Sequence, residues 1–205
     1  MFIVFEGCDR SGKTSLSMSF LEYINTEYRD EDGVIRIDPH LGDFIWTKEP
    51  TFTSEEADQL NTPGYVTEYQ RERIFFESRV RHQDVISGSN VICDRYLWSG
   101  IAYAKLFSPN CYDFSRELYL SENLFIQPDL YVLVDTPPEV CYDRDPTLNL
   151  ENLRRLQEAY RQTRQYIDPA VITMQAIGGE ERALEELIAH FDKHVTENNL
   201  DTAAI

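Results

Sequence analysis

Residues 7–14, Gly7-Cys8-Asp9-Arg10-Ser11-Gly12-Lys13-Thr14, fit the pattern GxxxxGK[ST] in full. Glycines at this spacing permit a tight loop whose backbone N–H groups point inward at phosphate oxygens, and a following helix adds its positive N-terminal end. In such a loop Lys13 reaches the β- and γ-phosphates of a nucleoside triphosphate, and the Thr14 hydroxyl is placed to ligate Mg2+. Gly7 to Ser15 therefore form a candidate ATP site. Arg10 lies inside the loop, where its guanidinium can contact the transferring phosphoryl group and contribute several powers of ten in rate. Asp94 and Arg95 follow the apolar run Val91-Ile92-Cys93, which puts them at the carboxyl end of a strand beside the loop. There Asp94 can hold Mg2+ directly or through water, and Arg95 can bridge the donor and acceptor phosphates. Lys48 ends another strand and is a candidate for the acceptor phosphate. Phe75 and Arg79 are four apart and share one helix face, which suits a pyrimidine: the ring stacks on the base and the guanidinium donates to a carbonyl edge. Plainer readings stay open, with Phe75 in the core, Arg79 and Lys48 as surface charges, and Asp94-Arg95 as a solvated ion pair.

These residues need a framework, and short apolar runs alternate with amphipathic stretches along the whole chain. Strands are expected at 2–5, 34–37, 44–47, 91–93, 130–134 and 171–174, with a turn at 38–43. Helices are expected from Ser15 to about Tyr28, from Ser54, from about Tyr65 to Ile86, from Glu151 to about Tyr166 and from Glu180 to His194. The tail from Glu197 has little to pack against and is expected to fray. Strands alternating with helices imply an α/β fold, a parallel sheet covered on both faces in three layers. No internal repeat, linker or composition break divides the chain, so one domain over 1–205 is expected.

Composition narrows the function classes. The chain has 205 residues, 36 acidic and 19 basic side chains and a formal charge of −17. That acidity argues against wrapping duplex DNA or sitting on an anionic membrane. No apolar run approaches the ~20 residues that span a bilayer. The four cysteines show no metal-ligand spacing and no signal peptide precedes the first strand, so four buried thiols in a reducing cytoplasm are expected. The residual positive charge is concentrated: from Gln70 to Arg95 five arginines face four acids.

Phe5-Glu6-Gly7-Cys8-Asp9-Arg10-Ser11-Gly12-Lys13-Thr14 resembles the FEGxDxxGK[ST] opening of thymidylate kinases. Asp94-Arg95-Tyr96 with Ser99-Gly100-Ile101-Ala102-Tyr103 resembles that family's DRY…SGxA[FY] segment. Thr47-Lys48-Glu49-Pro50 is similar to its TREP element, Phe75-Phe76-Glu77-Ser78-Arg79 to its base-binding helix, and Gln127-Pro128-Asp129-Leu130 to its entry into the fourth strand. The resemblance implies a P-loop kinase fold with a five-stranded parallel sheet and a homodimer. It also implies transfer of the γ-phosphoryl group of ATP, with Mg2+, to dTMP. Under it Asp9 takes the sugar hydroxyl, Lys48 and Arg95 the acceptor phosphate, and Ser99, Gly100 and Tyr103 surround base and sugar, Tyr103 filling space near C2′. A lid at about 141–152 is short, which assigns the catalytic arginine to Arg10 in the loop, with Arg144, Arg154 or Arg155 as further contributors. A kinase for another pyrimidine deoxynucleotide remains as an alternative. So does a deoxynucleoside kinase using Glu49 or Asp94 as base, or a P-loop binding module without turnover.

Overall fold

The computed structural model describes residues 1–26, 43–121, 124–167 and 169–197. Five strands, β1 (Phe2–Glu6), β2 (Phe44–Lys48), β3 (Asn90–Asp94), β4 (Leu130–Val134) and β5 (Ala170–Met174), form one sheet in the order β2-β3-β1-β4-β5. Every pairing is parallel. The three central strands are buried at every position, whereas edge strands β2 and β5 are partly exposed. Continuous apolar runs in the sequence are the signature of strands covered on both faces.

Alternation along each strand divides the core in two. Phe2 and Val4 of β1 point to one side with Tyr131 and Leu133 of β4, while Ile3 and Phe5 point to the other with Leu130 and Val132. The second side is closed by α1 (Lys13–Thr26) and α8 (Glu180–Glu197), through Leu16, Phe20, Leu187 and Phe191. The first is closed by α3 (Glu68–Ile86), α4 (Leu97–Phe107), α5 (Tyr112–Tyr119), α6 (Pro138–Arg144) and α7 (Leu150–Thr163). A short α2 (Ser54–Asn61) lies between β2 and α3.

Several helix limits differ from the sequence expectation, each for a local reason. Helix α3 begins at Glu68 because Thr67 and Gln70 form a reciprocal capping box. Helix α7 begins at Leu150, capped by the Asn149 side chain, and tightens into a 3-10 turn at Arg164–Tyr166. Helix α8 runs three residues beyond His194. The expected lid is largely helix: Cys141–Arg144 end α6 and 150–152 start α7, leaving a turn at 145–149. The expectation of four buried thiols is corrected at Cys111, which sits half-exposed on a 3-10 turn between α4 and α5, while Cys8, Cys93 and Cys141 are buried. The strand expected at 34–37, most of its following turn, the end of the first helix near Tyr28 and the tail from 198 lie outside the described residues. Among the described residues no helix is long and apolar enough to cross a membrane.

Candidate active site

The loop from Gly7 to Thr14 leaves the carboxyl end of central strand β1 and enters α1, and its backbone is shaped by close approaches. Gly7 has φ 146°, and a Cβ there would lie 2.5 Å from the Val134 carbonyl oxygen of the adjacent strand. Arg10 and Arg95 are the two non-glycine residues with positive φ among those described, at 61° and 73°. Positive φ is uncommon for non-glycine residues, and such strain clusters at functional sites. The Lys13 ammonium folds back onto the Cys8 carbonyl at 3.1 Å. Burial, reinforced by Arg95, lowers Lys13 to about 8, and burial pushes the Cys8 thiol up to about 12. A phosphate dianion at Lys13 would favour its charged form and oppose this lowering.

Two cavities flank the loop. The first, about 380 Å3, is lined by Arg10, Gly12, Lys13, Thr14 and Ser15 from the loop, facing Arg144 and the Ala176–Glu180 region. Arg144 donates to the carbonyls of Arg10 and Ala176, tying α6 and the turn after β5 across this cavity. Arg10 itself is 61% exposed and pairs with Asp145, Nη2 to Oδ2 at 2.9 Å. The second cavity, about 440 Å3, lies beyond Asp9 and is mostly apolar, with Pro50, Phe52, Phe75 and Phe107 beside Arg79, Arg95, Ser99, Gly100 and Tyr103. Phe75 is half-buried and meets Phe52 edge-on at 5.2 Å, whereas its neighbours Ile74 and Phe76 pack into the core.

Arg95 ties the second cavity to the phosphate loop. It donates to Gly7 O at 3.1 Å, Ser99 Oγ at 3.2 Å and Tyr160 Oη at 3.3 Å. Its other Nη contacts Asp9 at 2.5 Å, and Tyr103 Oη donates to the second Asp9 oxygen at 3.1 Å. The carboxylate that would repel phosphate is thereby neutralised by Arg95. Asp94 does not pair with Arg95. Its Oδ2 accepts from Thr14 Oγ1 at 2.5 Å and lies 3.3 Å from Lys48 Nζ. Lys48 is half-exposed, held on Asp94, and is not among the residues lining either cavity. Arg79 is fully buried, with its Nε 3.2 Å from a Glu49 oxygen and its Nη1 donating to Tyr119 Oη at 3.1 Å. Arg154 and Arg155 are exposed on α7, Arg154 paired with Glu139.

Two residues were not assigned roles from sequence. Glu6, fully buried at the end of β1, accepts from the backbone N–H groups of Tyr96 and Ser99 and from the Tyr160 hydroxyl at 3.1 Å. An acid ending an apolar strand just before Gly7 was a readable signal. Tyr160 on α7 also donates to Gly7 O at 3.3 Å, but one tyrosine on a long helix gives no sequence cue. Glu49 is buried, lines neither cavity, and is pushed up to about 8 by burial, which outweighs the Arg79 guanidinium. That position removes it as a base for a nucleoside hydroxyl.

A phosphate loop on the central strand of an all-parallel sheet, set between a polar cavity and an aromatic one, defines a P-loop nucleotide kinase. The family model described as thymidylate kinase matches residues 5–177. A thymidylate kinase of Mesomycoplasma hyopneumoniae is 28% identical over 162 residues, covering 77% of this chain and 75% of that protein. A probable thymidylate kinase of Pyrococcus abyssi is 30% identical over 179 residues, covering 80% and 78%. A thymidylate kinase of Caenorhabditis elegans is 29% identical over 152 residues, covering 70% and 66%. The chain belongs to the thymidylate kinase family and is an ATP-dependent nucleoside monophosphate kinase.

Proposed function

We propose that the chain transfers the γ-phosphoryl group of ATP to dTMP, giving dTDP and ADP. The observation that carries this reading is Arg95, which lines the aromatic cavity while donating to the phosphate-loop carbonyl of Gly7. ATP fits the cavity at Gly7–Ser15. The acceptor base fits between Phe75 and the α4 face, with Arg79 donating to a carbonyl, Asp9 and Tyr103 at the sugar, and Ser99 and Gly100 beneath. The acceptor phosphate lies toward Arg95, with Lys48 free to leave Asp94 for it.

The acceptor phosphate oxygen is already ionised at neutral pH, so catalysis rests on positioning and charge stabilisation. Lys13 neutralises the β/γ oxygens, and Arg10 turns from Asp145 onto the phosphoryl group in transit. Mg2+ suits the donors at the loop exit: Asp94 Oδ1 is buried without a hydrogen-bond partner among the described residues, and Thr14 Oγ1 adjoins Oδ2. Two hard oxygens leave room for waters and phosphates, as this ion prefers. When bound and held by Asp94 and Thr14, the ion would neutralise charge on the transferring phosphates.

A single domain over 1–205, a homodimer, a cytoplasmic location and no nucleic-acid or membrane partner complete the proposal. Coupled ADP release with a panel of deoxynucleosides and their monophosphates tests it. Turnover of thymidine without turnover of dTMP would overturn it, and no turnover on any acceptor would favour a binding module.

A further inference from the structure

The acceptor cavity has more polar groups than the motif residues. Glu72 stands three residues before Phe75 and seven before Arg79 on α3, so all three project from one helix face. It is 8% exposed and lines the same cavity. One carboxylate oxygen accepts from Ser115 Oγ on α5 at 3.1 Å. Burial raises Glu72 above the usual carboxylate value, opposed by Ser108, Ser115, Arg79 and Arg71, which favour its charged form.

Apart from Asn61 at the end of α2, the other side-chain acceptors on the cavity wall are already engaged. Asp9 is held by Arg95 and Tyr103, Ser99 Oγ lies against Glu6 and Tyr160, and Tyr119 Oη accepts from Arg79. Gly100 offers no side chain, and the Tyr119 ring occupies the space one would fill, 2.7 Å from an added Cβ. A thymine ring presents a carbonyl acceptor next to an imide N–H donor. Arg79 answers the carbonyl. The N–H needs an acceptor, and an unmet donor in a dry pocket is costly.

We propose that Glu72 is a specificity-determining residue whose carboxylate accepts the N3–H of the pyrimidine base, so that the pair Glu72 and Arg79 selects an imide edge over a cytosine edge. The proposal rests on the dTMP kinase reading. Cytosine reverses the pattern, presenting a bare N3 lone pair to the carboxylate and an amino group to the guanidinium, so two like pairs oppose each other.

The test measures kcat/KM for dTMP, dCMP and N3-methyl-dTMP with wild type, Glu72→Gln and Glu72→Ala. Wild type is expected to prefer dTMP over both others by at least tenfold. Glu72→Gln, nearly isosteric, is expected to raise KM for dTMP about tenfold and cut the dTMP/dCMP ratio by a similar factor, with KM for ATP unchanged. Glu72→Ala is expected to narrow the gap between dTMP and N3-methyl-dTMP. Ratios unchanged in both variants, or wild type using N3-methyl-dTMP as well as dTMP, overturn the role of Glu72 alone. Wild type with no turnover of dTMP overturns the underlying reading and this proposal with it. If Glu72→Ala fails to fold by thermal melt, the nearly isosteric Glu72→Gln carries the comparison, and an unchanged dTMP/dCMP ratio in it overturns the proposal.

Discussion

Arg10 combines a left-handed backbone at φ 61°, a largely exposed guanidinium and one ion pair with Asp145. An exposed pair of this kind contributes little to stability and is easily exchanged for a phosphate. Arg10→Ala is therefore expected to lower kcat by roughly 10²–10⁵ while leaving KM for ATP within a few-fold. Steady-state kinetics with dTMP check this, and an unchanged kcat would shift the essential cation to Arg144, which lines the same cavity. Phe75 behaves differently because its ring walls the acceptor cavity. Phe75→Ala is expected to weaken acceptor binding by about 1–3 kcal/mol if stacking is lost, with ATP binding retained. Titration calorimetry with dTMP reads the effect, and an unfolded variant would return Phe75 to the core.

At the scale of elements, the acceptor cavity depends on how closely α4 and α5 approach. Gly100 has no positive φ to explain it. A Cβ there would meet the Tyr119 ring at 2.7, 2.9 and 3.0 Å, and that ring is buried with Arg79 stacked over it at 4.9 Å. Gly100→Ala gains up to ~1 kcal/mol of helix propensity but forces a fixed, buried ring to move, which costs ~1–3 kcal/mol. The packing term wins. A net loss of about 1 kcal/mol in denaturant unfolding is expected, together with a raised KM for dTMP as Tyr119 pulls on Arg79. A variant as stable as wild type with unchanged KM would show that α5 yields freely. Nothing in the sequence around Gly100 announced this, because the partner lies nineteen residues away on another helix.

For the whole molecule, a buried acid couples folding to pH. Glu49 titrates near 4.5 when unfolded and about 8 in the fold. Its raised value means the folded chain holds a proton that the unfolded chain releases, so its contribution to stability is full below about 4.5 and declines as pH rises toward 8. His82, lowered by burial, acts in the opposite sense below 6.5. Comparing variants therefore isolates Glu49. Glu49→Gln is expected to flatten the fall in unfolding free energy between pH 5 and 8, measured by urea melts. A slope identical to wild type would mean Glu49 stays ionised beside Arg79. The charge of −17 belongs to the same scale: the acidic excess lies on the body, while Arg10, Lys13, Arg79 and Arg95 line the two cavities.

The sequence determined by itself whatever depends on neighbours along the chain. Strand runs buried on both faces fixed an α/β sheet, GxxxxGK[ST] fixed a phosphate loop, and four-residue spacing put Phe75 and Arg79 on one face. Only the tertiary structure decided the pairings between elements distant in sequence. It set Arg95 on Asp9 rather than on Asp94, drew Lys48 to Asp94, joined Glu6 to Ser99 and Tyr160, and turned Glu72 into the cavity beside Arg79. Those contacts depend on strand order and on the distances between packed helices. Periodicity within a segment carries neither, because it specifies which face is buried and not what that face meets.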